Sequence, residues 1–546
     1  MNRELPFSIT GDRYPSRRSV VMSRHGMVAT SQPLAAQAGL RILLAGGNAA
    51  DAAVAVAAAL NVVEPMSTGI GGDAFALIYD AASRKVSALN GSGRAPRAIS
   101  PQIFAERGLD RVPSDGMLPV TVPGAVDAWA ALLQRHGTMS LAQVLAPAIA
   151  YAEQGFPVSE IIAAAWWRAE PRLQAHPDAA RTYLIDGRRA PRPGEIFRQP
   201  NLAHTLRQIA EGGRDAFYNG PIAEAIVRTS DQYGGFLSLQ DFATHHSTWE
   251  TPISTQYRGY TVYECPPNGQ GLTALLGLNI LAGFDMAALA PGSAEALHLE
   301  IEAMRLAFAD AATYIADPAH ADVPIEMLLS EQHTAARRAL IGPDRAQRVV
   351  APGALPSSHD TVYLTVVDEA GNAVSFINSL FSGFGSGVVA GDTGIALQNR
   401  GAGFVLDPAH RNCIAPGKRP YHTIIPCMAL RGDALWSSFG VMGDFMQPQG
   451  HVQMLVNLID FGMNPQEALD APRFRVVDPY IDRDSVGLER GVAPETVRAL
   501  AALGHTLVDP AVVPVNFGGG QIIVVDENGV RRGGSDKRKD GCVVAY

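Results

Sequence analysis

The chain has 546 residues, 47% of them hydrophobic and 18% charged, with a formal net charge of −9. That balance suits a globular protein with a large buried core and excludes disorder, collagen and coiled coil as global descriptions. It gives no support to nucleic-acid binding, which needs basic charge to neutralise phosphates.

The first ~25 residues are polar and irregular, with no uninterrupted apolar stretch of the kind a signal peptide carries. Pro33 then opens a helix predicted to run to about Leu44 and to stop at Gly46-Gly47. Asn48 can cap a second helix, Ala49 to Val63, whose alanines suit close packing. This is the most apolar segment and it is too short to cross a bilayer. A soluble, cytoplasmic protein with no membrane partner is the expectation. Ala74 to Tyr79 reads as a buried strand. Residues 100 to 240 are mostly helical in pattern, and Glu295 to Tyr314 is a predicted helix, with Leu297, Ile301, Met304 and Phe308 at helical spacing.

The texture changes near residue 350. Val349 to Asp360 reads as an exposed loop. Thr361-Val-Tyr-Leu-Thr-Val-Val-Asp368 has strand chemistry, Glu369 to Asn372 a turn, and Ala373 to Ser379 a second strand, so a hairpin is predicted. Another strand is expected near Gln521–Val525. The chain is helix-rich before 350 and richer in strands after it.

Several catalytic motifs are absent. Gly383-Phe-Gly-Ser-Gly387 places its serine wrongly for a nucleophile elbow and misses the dinucleotide fingerprint. Pro416-Gly-Lys-Arg419 is not a phosphate-binding loop. Cys265, Cys413, Cys427 and Cys542 form no CxxC pair and no disulfide framework, His245-His246 cannot share a helix face, and no metal or other cofactor is expected. Lys537-Arg538-Lys539 is expected to be a solvated loop.

The Asp360-Thr361 junction remains. A threonine hydroxyl is a weak nucleophile and needs a base beside it. If the preceding peptide bond is cut, Thr361 gains an α-amine with a pKa of about 7.7–8.0 that can take the hydroxyl proton. On the segment alone, a plain β-branched strand residue is the simpler reading.

Longer stretches of text decide between them. Met27 to Ala35, Ala45-Gly-Gly-Asn-Ala-Ala-Asp-Ala-Ala53, Glu64-Pro-Met-Ser-Thr-Gly-Ile-Gly-Gly-Asp73 and Thr121-Val-Pro-Gly-Ala125 precede the junction. Thr361 to Val374, Gly417-Lys-Arg-Pro420 and Asn464 to Arg473 follow it. In that order they resemble the γ-glutamyltransferase (glutathione hydrolase) family of N-terminal-nucleophile enzymes, over nearly the whole chain. The resemblance implies an α+β fold, a four-layer αββα sandwich. It implies a proenzyme cut at Asp360-Thr361 into a large subunit, 1–360, and a small one, 361–546, which form one intertwined domain; a dimer of these pairs stays open. The implied reaction is acyl transfer from a small-molecule amide through a Thr361 acyl-enzyme to water or an amine. By position, Ser379 is the hydroxyl that supports the nucleophile. Gly443 supplies one backbone N–H of the oxyanion hole, and Asp444 takes the place of the second.

The departures concern the substrate. The arginine that grips an α-carboxylate in the family's transferases falls on Ser92, with Arg94 two residues on as a substitute. The aspartate that pairs with the α-ammonium falls on Gly403, the paired serines on His422 and Thr423, a glutamine on Arg400 and an asparagine on Phe381. The loop between Phe404 and Pro420 is short for the family's lid. A site that lacks the carboxylate and gains a cation suits an acidic acyl group without an α-amine. Ser382 to Gly387, Gln398-Asn-Arg-Gly401 and Gly440 to Gly450 resemble the branch with oxamate amidohydrolases and β-lactam side-chain acylases. Three readings follow: an autoprocessing amidohydrolase of this family, an oxamate-type or glutaryl/cephalosporin-type enzyme with little γ-glutamyl activity, and a non-catalytic binding protein on the same scaffold.

Overall fold

A computed structural model describes residues 18–347, 360–480, 482–510 and 515–546, together with Pro6 and Val513. Most of the polar N-terminal stretch and residues 349–359 of the expected loop lie outside the described residues.

The early helices follow their sequence signals closely. Pro33–Leu44 carries proline in its first turn and a Gln32 side-chain cap. Ala49–Val63 begins in a capping box: Asn48 accepts from the Ala50 and Asp51 N–H groups, and Asp51 accepts from Asn48 N–H at 3.0 Å. Every residue of this second helix is buried. Small side chains let it pass close beneath a sheet, since an interior packs to crystal density.

Two seven-stranded sheets form the centre. In the first, the order is Cys542–Ala545, Met27–Thr30, Asp360–Val367, Ala373–Phe381, Asp73–Asp80, Lys85–Gly91 and Thr248–Glu250. In the second it is Val21–Ser23, Arg531–Ser535, Gly519–Val525, Ala434–Met442, Cys427–Arg431, Tyr260–Glu264 and Ile253–Tyr257. Neighbouring strands in both are antiparallel. Each sheet draws strands from both sides of residue 360. The stretch before 350 is thus less purely helical than its pattern predicts, because short strands such as Tyr260–Glu264 take their partners from far along the chain.

Alternation along the strands defines the layers. Val362, Leu364 and Val366 face one core, shared with the Ala49–Val63 helix. Tyr363 and Val367 face another, shared with Phe75, Met428 and Ile523 between the sheets. A third core holds the helices Gly271–Leu281, Ala294–Tyr314 and Met446–Leu455 against the second sheet. This is the four-layer αββα sandwich. The Thr361–Val367 run is apolar on nearly every residue because its strand is buried on both faces.

The sheets are stitched face to face at the strand that begins with Asp360. Thr365 and Ser438 share a hydroxyl–hydroxyl hydrogen bond of 2.6 Å. Two residues on, a Cβ at Gly440 would lie 2.5 Å from the Tyr363 ring, so the crossing requires glycine there. The same antiparallel run carries Thr361 toward the Met442–Gly443 end of the opposing strand.

The run Lys537-Arg538-Lys539 is a turn with an exposed Lys537, as its charge suggests, but the other two residues are not freely solvated. Arg538 pairs with Glu489 and, at 3.0 Å, with Asp536, while Lys539 approaches Glu64 at 3.5 Å. Glu489 and Glu64, distant in the sequence, thus hold Arg538 and Lys539 half-buried, while Lys537 stays exposed. No helix among the described residues is long and apolar enough to cross a membrane.

Candidate active site

Thr361 lies one residue inside its strand, 3% exposed. The pairing with Ala373–Phe381 is irregular between Asp360 and Val362, so Thr361 sits at a bulge, a common device for re-aiming a side chain. Its Oγ1 is 3.1 Å from Ser379 Oγ. Ser379 Oγ in turn accepts from Phe381 N–H at 2.9 Å and from Arg400 Nη2 at 3.1 Å. Thus the two predicted hydroxyls meet, and a guanidinium touches the second of them.

Arg400 is fully buried. Its Nη1 donates to Thr423 Oγ1 at 2.7 Å, and its plane lies 4.1 Å from the Phe381 ring centroid. Phe381 holds a left-handed φ of 80°, unusual outside glycine, which carries the ring past the end of its strand to this position. Burial lowers the Arg400 pKa to about 9, with Asp73 and Asp444 opposing the shift, so it remains a cation at neutral pH.

Asp73 is directly opposite Ser379 in the strand register. One carboxylate oxygen accepts from Gly93 N–H at 2.9 Å, Gly124 N–H at 3.2 Å and Gln398 Nε2 at 2.8 Å. The other faces His422 Nε2 at 3.1 Å. Burial raises the Asp73 pKa to about 6, against those donors and the Arg400 charge. Burial, with the charges of Arg400 and Arg419, pushes His422 well below its ordinary value, so the imidazole is neutral. Ile424 N–H approaches its Nδ1 at 3.4 Å, which leaves the proton on Nε2 to donate to Asp73. The backbone is very tight here: a Cβ at Gly93 would sit 1.7 Å from the Val122 carbonyl oxygen.

The Gly443-Asp444 turn follows the crossing strand. Both residues have positive φ, 125° and 60°. Aspartate is among the few side chains that tolerate this region. The turn is held by Gln270 Nε2 and Gln447 N–H, which donate to the Asp444 carbonyl at 3.0 and 3.1 Å, and by Arg475 at 3.6 Å from the Asp444 carboxylate.

The other predicted residues are distributed around this centre. His422 and Thr423 belong to it, but both are buried and bonded inward, to Asp73 and Arg400. Ser92 is buried in a polar net with Asn90 and Asn268, and its carbonyl accepts from Arg419 Nε at 3.2 Å. Arg94 points elsewhere: it is half-buried, donates to the His246 carbonyl at 3.3 Å and lines a separate cavity. Asp360 pairs through its backbone with Phe381. Sequence reasoning missed Asp73 and Gln398. The available signal was a carboxylate ending a glycine-rich turn and entering a buried strand.

Two buried clusters carry metal-ligand atom types, Glu264–Cys427–His451 and His298–Glu302–His505. Each is engaged by its own hydrogen bonds, His451 Nδ1 to Glu264 at 2.7 Å and His298 Nδ1 with His505 Nε2 at 2.8 Å.

An αββα sandwich with a threonine hydroxyl at the head of a central strand is the architecture of an N-terminal-nucleophile hydrolase. The Gamma-glutamyltranspeptidase family profile matches residues 35–546. The chain is 40% identical over 529 residues to the "Glutathione hydrolase-like YwrD proenzyme" of Bacillus subtilis, covering 96% of this chain and 99% of that one. It is 37% identical over 532 residues to the "Oxamate amidohydrolase proenzyme" of Klebsiella pneumoniae, with coverage of 96% and 99%. The crystal structure of cephalosporin acylase from Bacillus halodurans superposes with a TM-score of 0.91 at 47% identity, over 99% of each chain. The chain belongs to the γ-glutamyltranspeptidase family.

Proposed function

We propose that the chain is an autoprocessing amidohydrolase that cuts itself between Asp360 and Thr361 and then hydrolyses small amides with an acidic acyl group. The observation that carries this reading is the 3.1 Å contact between Thr361 Oγ1 and Ser379 Oγ, with Arg400 bonded to the same serine.

In the precursor, Thr361 Oγ adds to the Asp360 carbonyl carbon. The hydroxyl proton passes to the leaving nitrogen, the C–N bond breaks, and an ester joins residue 360 to Thr361 Oγ. Water hydrolyses that ester and leaves subunits 1–360 and 361–546. The freed α-amine then serves as base, so nucleophile and base share one residue. On an amide substrate the same oxygen attacks the acyl carbon, the N–H groups of Gly443 and Asp444 bind the oxyanion, and the amine departs with the proton. Water, or an amine acceptor, releases the acyl group. Ser379 orients the Thr361 hydroxyl, and Arg400 supplies a fixed positive charge beside both.

Charge supports the acidic acyl group. Arg400 is a buried cation next to the hydroxyl pair, and the position that would pair with an α-ammonium is Gly403. The names of the relatives span glutathione hydrolase, oxamate amidohydrolase and acylase. A panel tests the choice: kcat/KM for glutaryl and oxamate amides should exceed that for a γ-glutamyl anilide. A clear preference for the γ-glutamyl compound would refute it.

A further inference from the structure

Gln270 is fully buried immediately before the helix Gly271–Leu281. Its backbone is fixed to the segment that carries His422 and Thr423. His422 N–H donates to the Asn268 carbonyl at 3.0 Å, and Gln270 N–H donates to the His422 carbonyl at 3.0 Å. The side chain then reaches two carbonyls that are distant in the sequence. Nε2 donates to the Thr423 carbonyl at 2.6 Å and to the Asp444 carbonyl at 3.0 Å. Oε1 accepts from the Tyr421 hydroxyl at 3.0 Å, and that hydroxyl lies 2.5 Å from the Tyr480 hydroxyl. A carbonyl can only accept, so the chemistry of the partners fixes the amide: NH2 toward the two carbonyls, oxygen toward the phenol.

Each carbonyl belongs to a different part of the site. Asp444 completes the turn whose N–H groups are assigned to the oxyanion. Its φ of 60° is one that an aspartate keeps when its surroundings impose it. Thr423 is the anchor of Arg400, whose Nη1 donates to its hydroxyl at 2.7 Å and whose Nη2 reaches Ser379 Oγ at 3.1 Å. One amide thus joins the oxyanion side of the site to the nucleophile side. Gln447 N–H also holds the Asp444 carbonyl. Among the described residues, Gln270 is the one side-chain donor to the Thr423 carbonyl.

Gln270 precedes residue 360, whereas Arg400, Tyr421, Thr423 and Asp444 follow it. After a cut between Asp360 and Thr361, the bridge is a contact from the large subunit to the small one.

We propose that Gln270 is a positioning residue for amide hydrolysis: it holds the Gly443–Asp444 turn and the Arg400 anchor at a fixed separation, across the subunit boundary. The inference rests on the function proposed above. Gln270 acts through the two loops rather than on the reacting atoms. Its removal therefore loosens the oxyanion donors relative to Thr361 Oγ1, and a misplacement of about 1 Å in such a geometry costs on the order of 10²-fold in rate.

Steady-state kinetics of the processed protein test this, on whichever amide of the panel is turned over best and per cleaved chain counted by intact mass spectrometry. Gln270→Met keeps the length of the side chain and removes both donors. Its kcat should fall at least tenfold while KM stays within threefold. Tyr421→Phe leaves the amide in place and removes the hydroxyl that orients it; its kcat should fall at least threefold, again with KM held. Because Tyr421 acts through Gln270, the double variant should be no slower than Gln270→Met alone. A smaller fall in kcat for Gln270→Met, or a loss carried by KM, would overturn the proposal. Should Gln270→Met fail to fold or to cut itself, Tyr421→Phe decides by the same criteria. A wild type that neither cuts itself nor hydrolyses any amide would overturn the proposed function and this inference with it; an active wild type with an unimpaired Gln270→Met overturns this inference alone.

Discussion

Arg400 Nη2 donates to Ser379 Oγ at 3.1 Å, and Ser379 Oγ lies 3.1 Å from Thr361 Oγ1. A buried guanidinium is therefore one hydroxyl away from the proposed nucleophile. Its charge acts on whatever ionises at Thr361.

The first consequence is a pH dependence. The freed Thr361 amine must be neutral to accept a proton, and a nearby positive charge disfavours its protonated form. A cation placed there is expected to favour the neutral amine. In Arg400→Met that restraint is gone, the amine pKa rises, and the acidic limb of kcat/KM moves to higher pH. A pH–rate profile of the two processed proteins reads the shift; a limb that stays or moves to lower pH contradicts the assignment.

Asp73 satisfies three N–H donors and faces His422. Asp73→Ala strands those donors in a dry interior, where each unsatisfied group costs about 1–3 kcal/mol. The variant should lose several kcal/mol of stability, measured by urea denaturation in a Thr361→Ala background so that both chains are uncut. Loss of under ~1 kcal/mol would mean that the donors find other partners.

Glu300 supplies a separate test by pH. Burial, with the nearby Asp460 charge, raises its pKa to about 8. The sign follows from proton counting. Between the ordinary carboxylate value and about 8 the folded chain binds more protons at Glu300 than the unfolded chain, so this residue opposes folding increasingly as pH rises through that window. Glu300→Gln removes the penalty. Its melting temperature should exceed the parent's at pH 9, with the gap closing toward pH 5; a gap that does not change with pH would refute a raised pKa.

The sequence made some of this legible and hid the rest for physical reasons. The Ala49–Val63 helix and the hairpin from Thr361 depend on local propensity, caps and a short turn, and they stand where the residues predict; the pairing of Thr361 with Ser379 was legible only through the family resemblance, and the two hydroxyls lie 3.1 Å apart. Asp73 does not show itself, because its partners Gly93, Gln398 and His422 lie 20, 325 and 349 residues away. The directions of Arg94 and His422 were also hidden. One projects into a separate cavity and the other turns inward to a carboxylate, and neither follows from spacing. Arg538 misleads for the same reason, since Glu489 is 49 residues distant.

The account depends most on Thr361 as the residue that cuts the chain and then carries the acyl group. Intact mass spectrometry of purified wild type and Thr361→Ala tests this directly. The wild type should give two fragments that join at Asp360 and Thr361, and the variant a single uncut chain without amidase activity. Two fragments from Thr361→Ala, or an uncut wild type that still hydrolyses amides, would contradict it.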